Sequence, residues 1–95
     1  MQKELIEVPR ATLDFYKYKE GDLTIYEYDA TKCQAPEPMV NTIAGLSLLK
    51  SQTDRLVGIF FHEPFPLYSR LPLTIEYEAK EMPGGDFRIT FKLAE

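Results

Sequence analysis

The segment RLVGIFF, residues 55–61, constrains the fold of this chain more than any other stretch. From Leu56 to Phe61 its residues are uninterruptedly apolar, so a strand formed here has no polar face to turn toward water. We therefore expect a strand in the middle of a sheet, buried on both sides. Other parts of the chain must cover each face.

The C-terminal third of the chain predicts a β-hairpin. Apolar and polar residues alternate strictly in LTIEYEAKE, residues 73–81, and again in FRITFKL, residues 87–93. The PGGD between them supplies glycines that can adopt a positive φ. The inward positions are Leu73, Ile75, Tyr77, Ala79, Phe87, Ile89, Phe91 and Leu93. The opposite face carries charges of both signs and is expected to be a solvated surface.

A parallel crossover is expected upstream of that hairpin. The β-branched and aromatic DLTIYEYD, residues 22–29, predicts a strand. A helix is predicted between Pro38 and Lys50, where an apolar stripe of Met39, Ile43, Leu46 and Leu49 would cover one face of the sheet. Strand, helix and strand in this order imply a right-handed parallel connection. The next connection, residues 62–72, has room for a short helix opened by Pro64.

Together these elements predict an α/β two-layer sandwich of βαβαββ order, with a mixed four-stranded sheet and two helices on one face. Residues 1–21 form an N-terminal extension and residues 22–95 the domain. In the extension, ELIEV and TLDFYKY could be strands or, for the second, a turn-rich helical piece; we favour one added strand. Their apolar residues would cover the open side of the central strand or form a dimer contact.

Composition excludes several classes of protein. The chain has 95 residues, enough for one domain. Its net charge of −4 argues against binding to nucleic acid, which requires clustered Lys and Arg. No apolar run reaches the length of a bilayer span, and no signal sequence is recognisable, so we expect a cytoplasmic protein that does not contact membranes. A single cysteine forms no intramolecular disulfide and agrees with a reducing compartment.

Two proline motifs resemble the TusA/SirA superfamily of small sulfur-carrier proteins. A Cys-Pro-x-Pro step opens the first helix of that superfamily, and residues 35–38, APEP, match it with Ala35 in the cysteine position. Cys33 lies two residues too early, so the resemblance does not imply a competent sulfur carrier. Residues 62–68, HEPFPLY, are similar to a motif of the cysteine-lacking branch, the uncharacterised domain of unknown function two-two-four-nine. The resemblance runs from about Asp22 to Leu93 and implies the βαβαββ fold.

The parallel crossover also predicts where a site lies. Loops that follow two parallel strands leave the sheet at the same edge, so residues 29–38 and 62–68 should approach each other. The candidate edge for a ligand or partner comprises Cys33, Ala35, Pro36, Glu37, Pro38, His62, Glu63, Pro64 and Tyr68. We expect no metal or cofactor site, because two-His clusters and paired-Cys spacing are missing. No residue is assigned a catalytic role.

Each notable side chain has a structural and a chemical interpretation. A thiol near a helix N-terminus ionises more readily, which would suit Cys33 to redox or persulfide chemistry with His62 as the base. We favour a small, partly buried loop residue for Cys33 and a histidine hydrogen-bonded to its loop for His62. Glu63 is expected to accept backbone N–H bonds at the start of the second helix. Phe65 and its neighbours in that helix are expected to pack.

The first hypothesis is a non-enzymatic accessory or regulatory binding module whose candidate edge contacts a protein partner or small ligand, as a monomer or homodimer. The alternative is a sulfur-transfer or redox protein that uses the displaced Cys33 with His62. A third hypothesis, a metal-binding partner of a haem, copper or di-iron system, is implied only by the metal domains joined to some members of the branch that this chain resembles.

Overall fold

A computed structural model describes residues 2–95, which form one twisted sheet with two helices packed on the same face. The elements, in chain order, are β1 (Glu4–Ile6), β2 (Phe15–Glu20), β3 (Leu23–Ala30), α1 (Glu37–Leu46), β4 (Asp54–Phe60), α2 (Phe65–Tyr68), β5 (Ile75–Glu81) and β6 (Phe87–Leu93). The strand order across the sheet is β1-β2-β3-β4-β6-β5. Strands β3 and β4 are parallel, and every other neighbouring pair is antiparallel.

The predicted four-stranded sheet is wrong, because the sheet has six strands. The N-terminal extension contributes two strands where one was expected. Strand β2 pairs with β3 in a hairpin whose turn is formed by Gly21 and Asp22, with Gly21 at a φ of 61°. Strand β1 then pairs with β2. The boundary placed between residues 21 and 22 therefore falls inside a tight hairpin turn.

The main core lies between the sheet and the helices, and aromatic rings dominate it. The ring of Phe15 stacks on that of Tyr28, with centroids 4.8 Å apart. Tyr28 crosses over Gly58 of β4, where a Cβ would come within 2.6 Å of its phenol. The hydroxyl of Tyr28 hydrogen-bonds that of Thr42 on α1. The absence of a side chain at Gly58 thus makes room for a ring that connects sheet to helix.

The buried face of α1 matches the predicted apolar stripe only in part. Ile43 is 44% exposed, whereas Asn41 and Thr42 are fully buried. Gly45 also faces the sheet, where an added Cβ would lie 2.9 Å from side-chain atoms of Leu56 and of Phe15. Because bulky rings already fill the space above the sheet, the helix approaches with small and hydrogen-bonding residues. The prediction of a helix in this region holds, and Met39, Leu46 and Leu49 of the predicted stripe pack on the core, whereas Ile43 does not.

The N-terminal apolar residues divide between the two faces of the sheet, and the expectation that they would cover the open side of the central strand holds for Tyr18, which packs with Val57 of β4 there. Val8 and Phe15 are buried in the main core. The opposite face holds a separate cluster of Tyr18, Ile25 and Val57. Long polar side chains surround this cluster: Tyr18 donates a hydrogen bond to Glu27, for example. The central strand β4 is thus buried on both faces, as its sequence predicts.

The predicted C-terminal hairpin is present, with Gly84 and Gly85 of its turn at φ values of 100° and 98°. Ile89 and Phe91 of β6 are fully buried. Strand β5 lies at the edge of the sheet and is mostly exposed, and Leu73, which was expected to face inward, lies outside the strand and is fully exposed. Charged residues along β5 oppose pairing of this edge with another chain.

The parallel pair places two loops at one edge of the sheet. Ala30 at the end of β3 is the register partner of Phe60 at the end of β4. The chain then continues into residues 31–36 on one side and residues 61–64 on the other. None of the helices in residues 2–95 is long and apolar enough to cross a membrane.

Candidate ligand-binding cavity

The two loops and the first residues of the two helices enclose a cavity of about 500 Å³. Its lining residues are Ala30, Cys33, Gln34, Ala35, Pro36, Pro38, Met39, Phe60, Phe61, His62, Glu63, Pro64, Pro66 and Leu67. Ala30, Phe60 and Leu67 are buried residues of the main core and form the inner wall. Phe61 and His62 are exposed and form part of the mouth. The cavity is therefore continuous with the core on one side and open to water on the other.

Four prolines contribute to the walls, one at the end of each loop and one in the first turn of each helix. Pro36 immediately precedes α1, and Pro64 immediately precedes α2. Pro38 and Pro66 follow within the first helical residues, where a missing N–H costs no intrahelical hydrogen bond. A proline ring fixes φ, so these walls lose little conformational freedom when a ligand binds. The cavity is in this sense formed before any ligand arrives.

Seven of the nine residues of the candidate edge line this cavity. Glu37 does not, because its carboxylate accepts a hydrogen bond from the Thr12 hydroxyl at 2.5 Å and is directed at the N-terminal segment. Tyr68 does not line it either, but it positions a residue that does. Its hydroxyl donates a hydrogen bond to Oε2 of Glu63 at 3.0 Å.

Cys33 faces the cavity from the loop after β3. It is half-buried, and its backbone N–H donates to the Ala30 carbonyl at 3.4 Å. Burial, followed by the nearby carboxylates of Glu37 and Asp29, raises the pKa of the Cys33 thiol. A helix N-terminus alone would lower the pKa of the thiol, so the shift is opposite to the one expected. The thiol is therefore predominantly protonated near neutral pH, which disfavours nucleophilic chemistry.

His62 lies at the exposed mouth. Its ring stacks on that of Phe61, with centroids 4.7 Å apart and planes at 19°. The hydrogen bond predicted between His62 and its own loop is not among the side-chain hydrogen bonds of residues 2–95. Within the same residues, no group of three or more His, Cys, Asp or Glu side chains could hold a metal ion. His62 thus belongs to an aromatic surface at the mouth.

Glu63 does not cap α2 as predicted. The residue at the start of the helix is Pro64, and no side chain caps it. The Glu63 carboxylate instead accepts the Tyr68 hydroxyl, and burial together with this carboxylate raises the pKa of Tyr68. The Tyr68 ring stacks on Tyr77 of β5, with centroids 3.9 Å apart. A short chain of contacts therefore holds the carboxylate of Glu63 beside the cavity.

Several lining residues were not identified from the sequence. Phe60 and Leu67 read as ordinary core positions, and Met39 as part of a helical stripe. Phe61 carried a usable signal: it is the last residue of an apolar run and directly precedes His62 and the proline motif. A large apolar residue just beyond the end of a buried strand often lies at the edge where ligands bind. Its side chain is 63% exposed.

Comparison of the chain with protein-family models, with curated proteins and with solved structures yields no match. The chemistry of this cavity is therefore argued from its own residues.

Proposed function

We propose that this chain is a non-enzymatic binding module that holds an apolar group of a small ligand or protein partner in the cavity between its two proline-containing loops. The observation that carries the proposal is the cavity itself, which is concave, largely apolar and built on rigid walls. Pockets of this kind, with few polar groups, are the usual form of small-molecule sites. The proposal places the protein in the cytoplasm, in keeping with its single unpaired cysteine.

The chemistry of the lining supports binding more than catalysis. Besides the Cys33 thiol, the side chains with polar atoms are those of Gln34, His62 and Glu63. The thiol is kept protonated, and the carboxylate of Glu63 is engaged by Tyr68. Burial of apolar surface contributes about 25 cal/mol per Å², so an apolar group that fills such a cavity gains several kcal/mol before the costs of binding are subtracted.

The resemblance to the TusA/SirA superfamily remains part of this proposal. Both motifs that carry it, residues 35–38 and residues 62–68, contribute to the cavity walls. Ala35 occupies the position of the carrier cysteine, and it lines the cavity. A ligand or partner would therefore bind where a carrier of that superfamily would present its sulfur, without a covalent bond to the protein.

A neutral apolar fluorescent probe, N-phenyl-1-naphthylamine, tests the proposal. We expect its emission to rise on addition of the protein, because the probe moves from water into an apolar site. Ala35→Trp fills the mouth of the cavity and should abolish this increase. Ala79→Trp, at another exposed alanine on β5, is the matched control and should leave it unchanged. Equal emission with both variants and with the unmodified protein would place the probe elsewhere and refute the proposal.

Sulfur transfer or redox chemistry through Cys33 is the second candidate, because Cys33 and His62 line the same cavity. Burial and two nearby carboxylates raise the pKa of the thiol and make this candidate the less favoured one. Incubation with a sulfur donor followed by intact-mass measurement distinguishes the candidates. A mass increase of one sulfur atom that disappears in Cys33→Ala would favour the carrier function.

A further inference from the structure

Acidic groups lie in and beside the cavity. Glu63 lines it, and the carboxylates of Asp29 and Glu37 lie near enough to Cys33 to act on its thiol. Within residues 2–95, no lysine or arginine lines the cavity. Lys32 is the nearest basic residue in sequence, but it is exposed and does not contribute to the walls. The acidic groups so placed favour a positively charged guest over an anion.

The carboxylate of Glu63 is held in place. Tyr68 donates to its Oε2 at 3.0 Å, and the Tyr68 ring is itself fixed between Tyr77, stacked at 3.9 Å, and Phe65, in edge contact at 6.0 Å. One hydrogen bond leaves the remaining lone pairs of the carboxylate free to accept from a ligand. A carboxylate that is already oriented loses less entropy on pairing than a mobile surface carboxylate.

Aromatic surface completes the mouth. Phe61 is 63% exposed and its ring stacks on His62 at 4.7 Å. The face of an aromatic ring attracts cations, and aromatic rings combined with a carboxylate are a common way to recognise ammonium groups. An exposed phenylalanine at the rim of an apolar cavity also extends the surface that an apolar ligand can cover.

From this arrangement we propose that the cavity selects organic cations, with the apolar body of the ligand in the cavity and its ammonium group at the mouth, between the Glu63 carboxylate and the Phe61 ring. The inference rests on the proposed binding function and adds the charge of the ligand to it. It disfavours carboxylates, phosphates and other anions of similar size at the same position.

Three naphthalene compounds of nearly equal size and different charge test the inference: 1-naphthylmethylamine, 1-naphthalenemethanol and 1-naphthoate. At about pH 8 the amine is protonated and the acid ionised. Their dissociation constants are measured by ligand-observed NMR titration at low salt. We expect the amine to bind about three- to tenfold more tightly than the alcohol, and the alcohol more tightly than the naphthoate. A difference of this size is what one partly exposed charge interaction contributes to binding.

Two variants assign the preference to Glu63. Glu63→Gln retains an acceptor for Tyr68 but removes the charge, so the amine should lose most of its advantage over the alcohol while the affinity of the alcohol is unaffected. Glu78→Gln removes an exposed carboxylate of β5 and should preserve the preference for the amine. If the alcohol binds but the amine binds no more tightly, or if the preference for the amine is undiminished in Glu63→Gln, the inference is overturned and the proposed function stands. If neither the alcohol nor the amine binds, both fail.

Discussion

The side-chain amide of Asn41 on α1 bonds twice to Thr12 in the segment before β2: its Oδ1 accepts the Thr12 backbone N–H at 2.8 Å, and its Nδ2 donates to the Thr12 hydroxyl at 2.9 Å. The same Oδ1 accepts the backbone N–H of Leu13 at 3.0 Å. Asn41 is fully buried. The Asn41 amide thus supplies the hydrogen bonds that a neighbouring strand would otherwise provide to this segment. It also fixes the direction in which the chain enters β2.

Replacing Asn41 with leucine should therefore destabilise the protein by about 2–4 kcal/mol, because two partly buried backbone N–H groups lose their acceptor. The free energy of unfolding is measured by urea titration. Ile43→Ala on the exposed side of the same helix is the control and should change it by less than about 0.5 kcal/mol. A similarly small effect for Asn41→Leu would show that water satisfies these groups.

A side chain at Gly58 should disturb the contact between sheet and helix. An added Cβ would lie 2.6 Å from the phenol of Tyr28, closer than side chains tolerate. Gly58→Ala is expected to cost about 1–3 kcal/mol, as overpacking of a core does. The cost should be smaller in a Tyr28→Leu background, since the shorter side chain leaves part of the space open. Additive effects of the two substitutions would contradict the steric explanation.

A shortened chain comprising residues 22–95 should not unfold cooperatively. The deletion removes Phe15, which is 1% exposed and stacks on Tyr28, and it exposes the edge of β3. Urea titration followed by far-ultraviolet circular dichroism checks this. A sigmoidal transition for the shortened chain, with a slope near that of the full chain, would instead identify residues 22–95 as an independent domain.

Alkylation of Cys33 should require a higher pH than an ordinary thiol does. Only the thiolate reacts with iodoacetamide, and burial, Glu37 and Asp29 together raise the pKa of Cys33, so the fraction of thiolate near neutral pH is small. The alkylation rate is measured as a function of pH for the folded protein and for the chain unfolded in urea, and the midpoints of the two curves are compared. The double variant Asp29→Asn, Glu37→Gln should move the midpoint downward but not to the unfolded value, because burial remains. A wild-type midpoint below that of the unfolded chain would contradict this interpretation.

The spacing of apolar residues along the chain predicts this fold well where burial alone decides which way a side chain faces. Alternation alone decides β6, since Ile89 and Phe91 have only the core to face, and the apolar run of β4 demands burial on both sides. The burial of Thr42 on α1 could not be predicted in the same way. Ile43 is more apolar than Thr42, yet Thr42 is the buried residue, and its hydroxyl hydrogen-bonds Tyr28. That outcome depends on a contact between distant parts of the chain.

The location of the candidate cavity could be predicted from the sequence, but the contacts of its lining residues could not. Parallel strands bring the ends of β3 and β4 to one edge whatever their side chains are, so a meeting of the two loops follows from topology. The partner of Glu63 does not, because a glutamate before a proline reads locally as a helix cap. Its bond to Tyr68 depends on the stack with Tyr77, which approaches from the far end of the sequence.

The division of the cavity into a buried inner wall and an exposed mouth has an evolutionary consequence. Phe60 and Leu67 serve both the cavity and the core, so most changes there cost stability. Phe61 and His62 are exposed, and substitutions at such positions are nearly neutral for folding. Natural variation can therefore exchange the groups that meet a ligand without first acquiring compensating mutations, which lets one scaffold acquire new specificities by single steps.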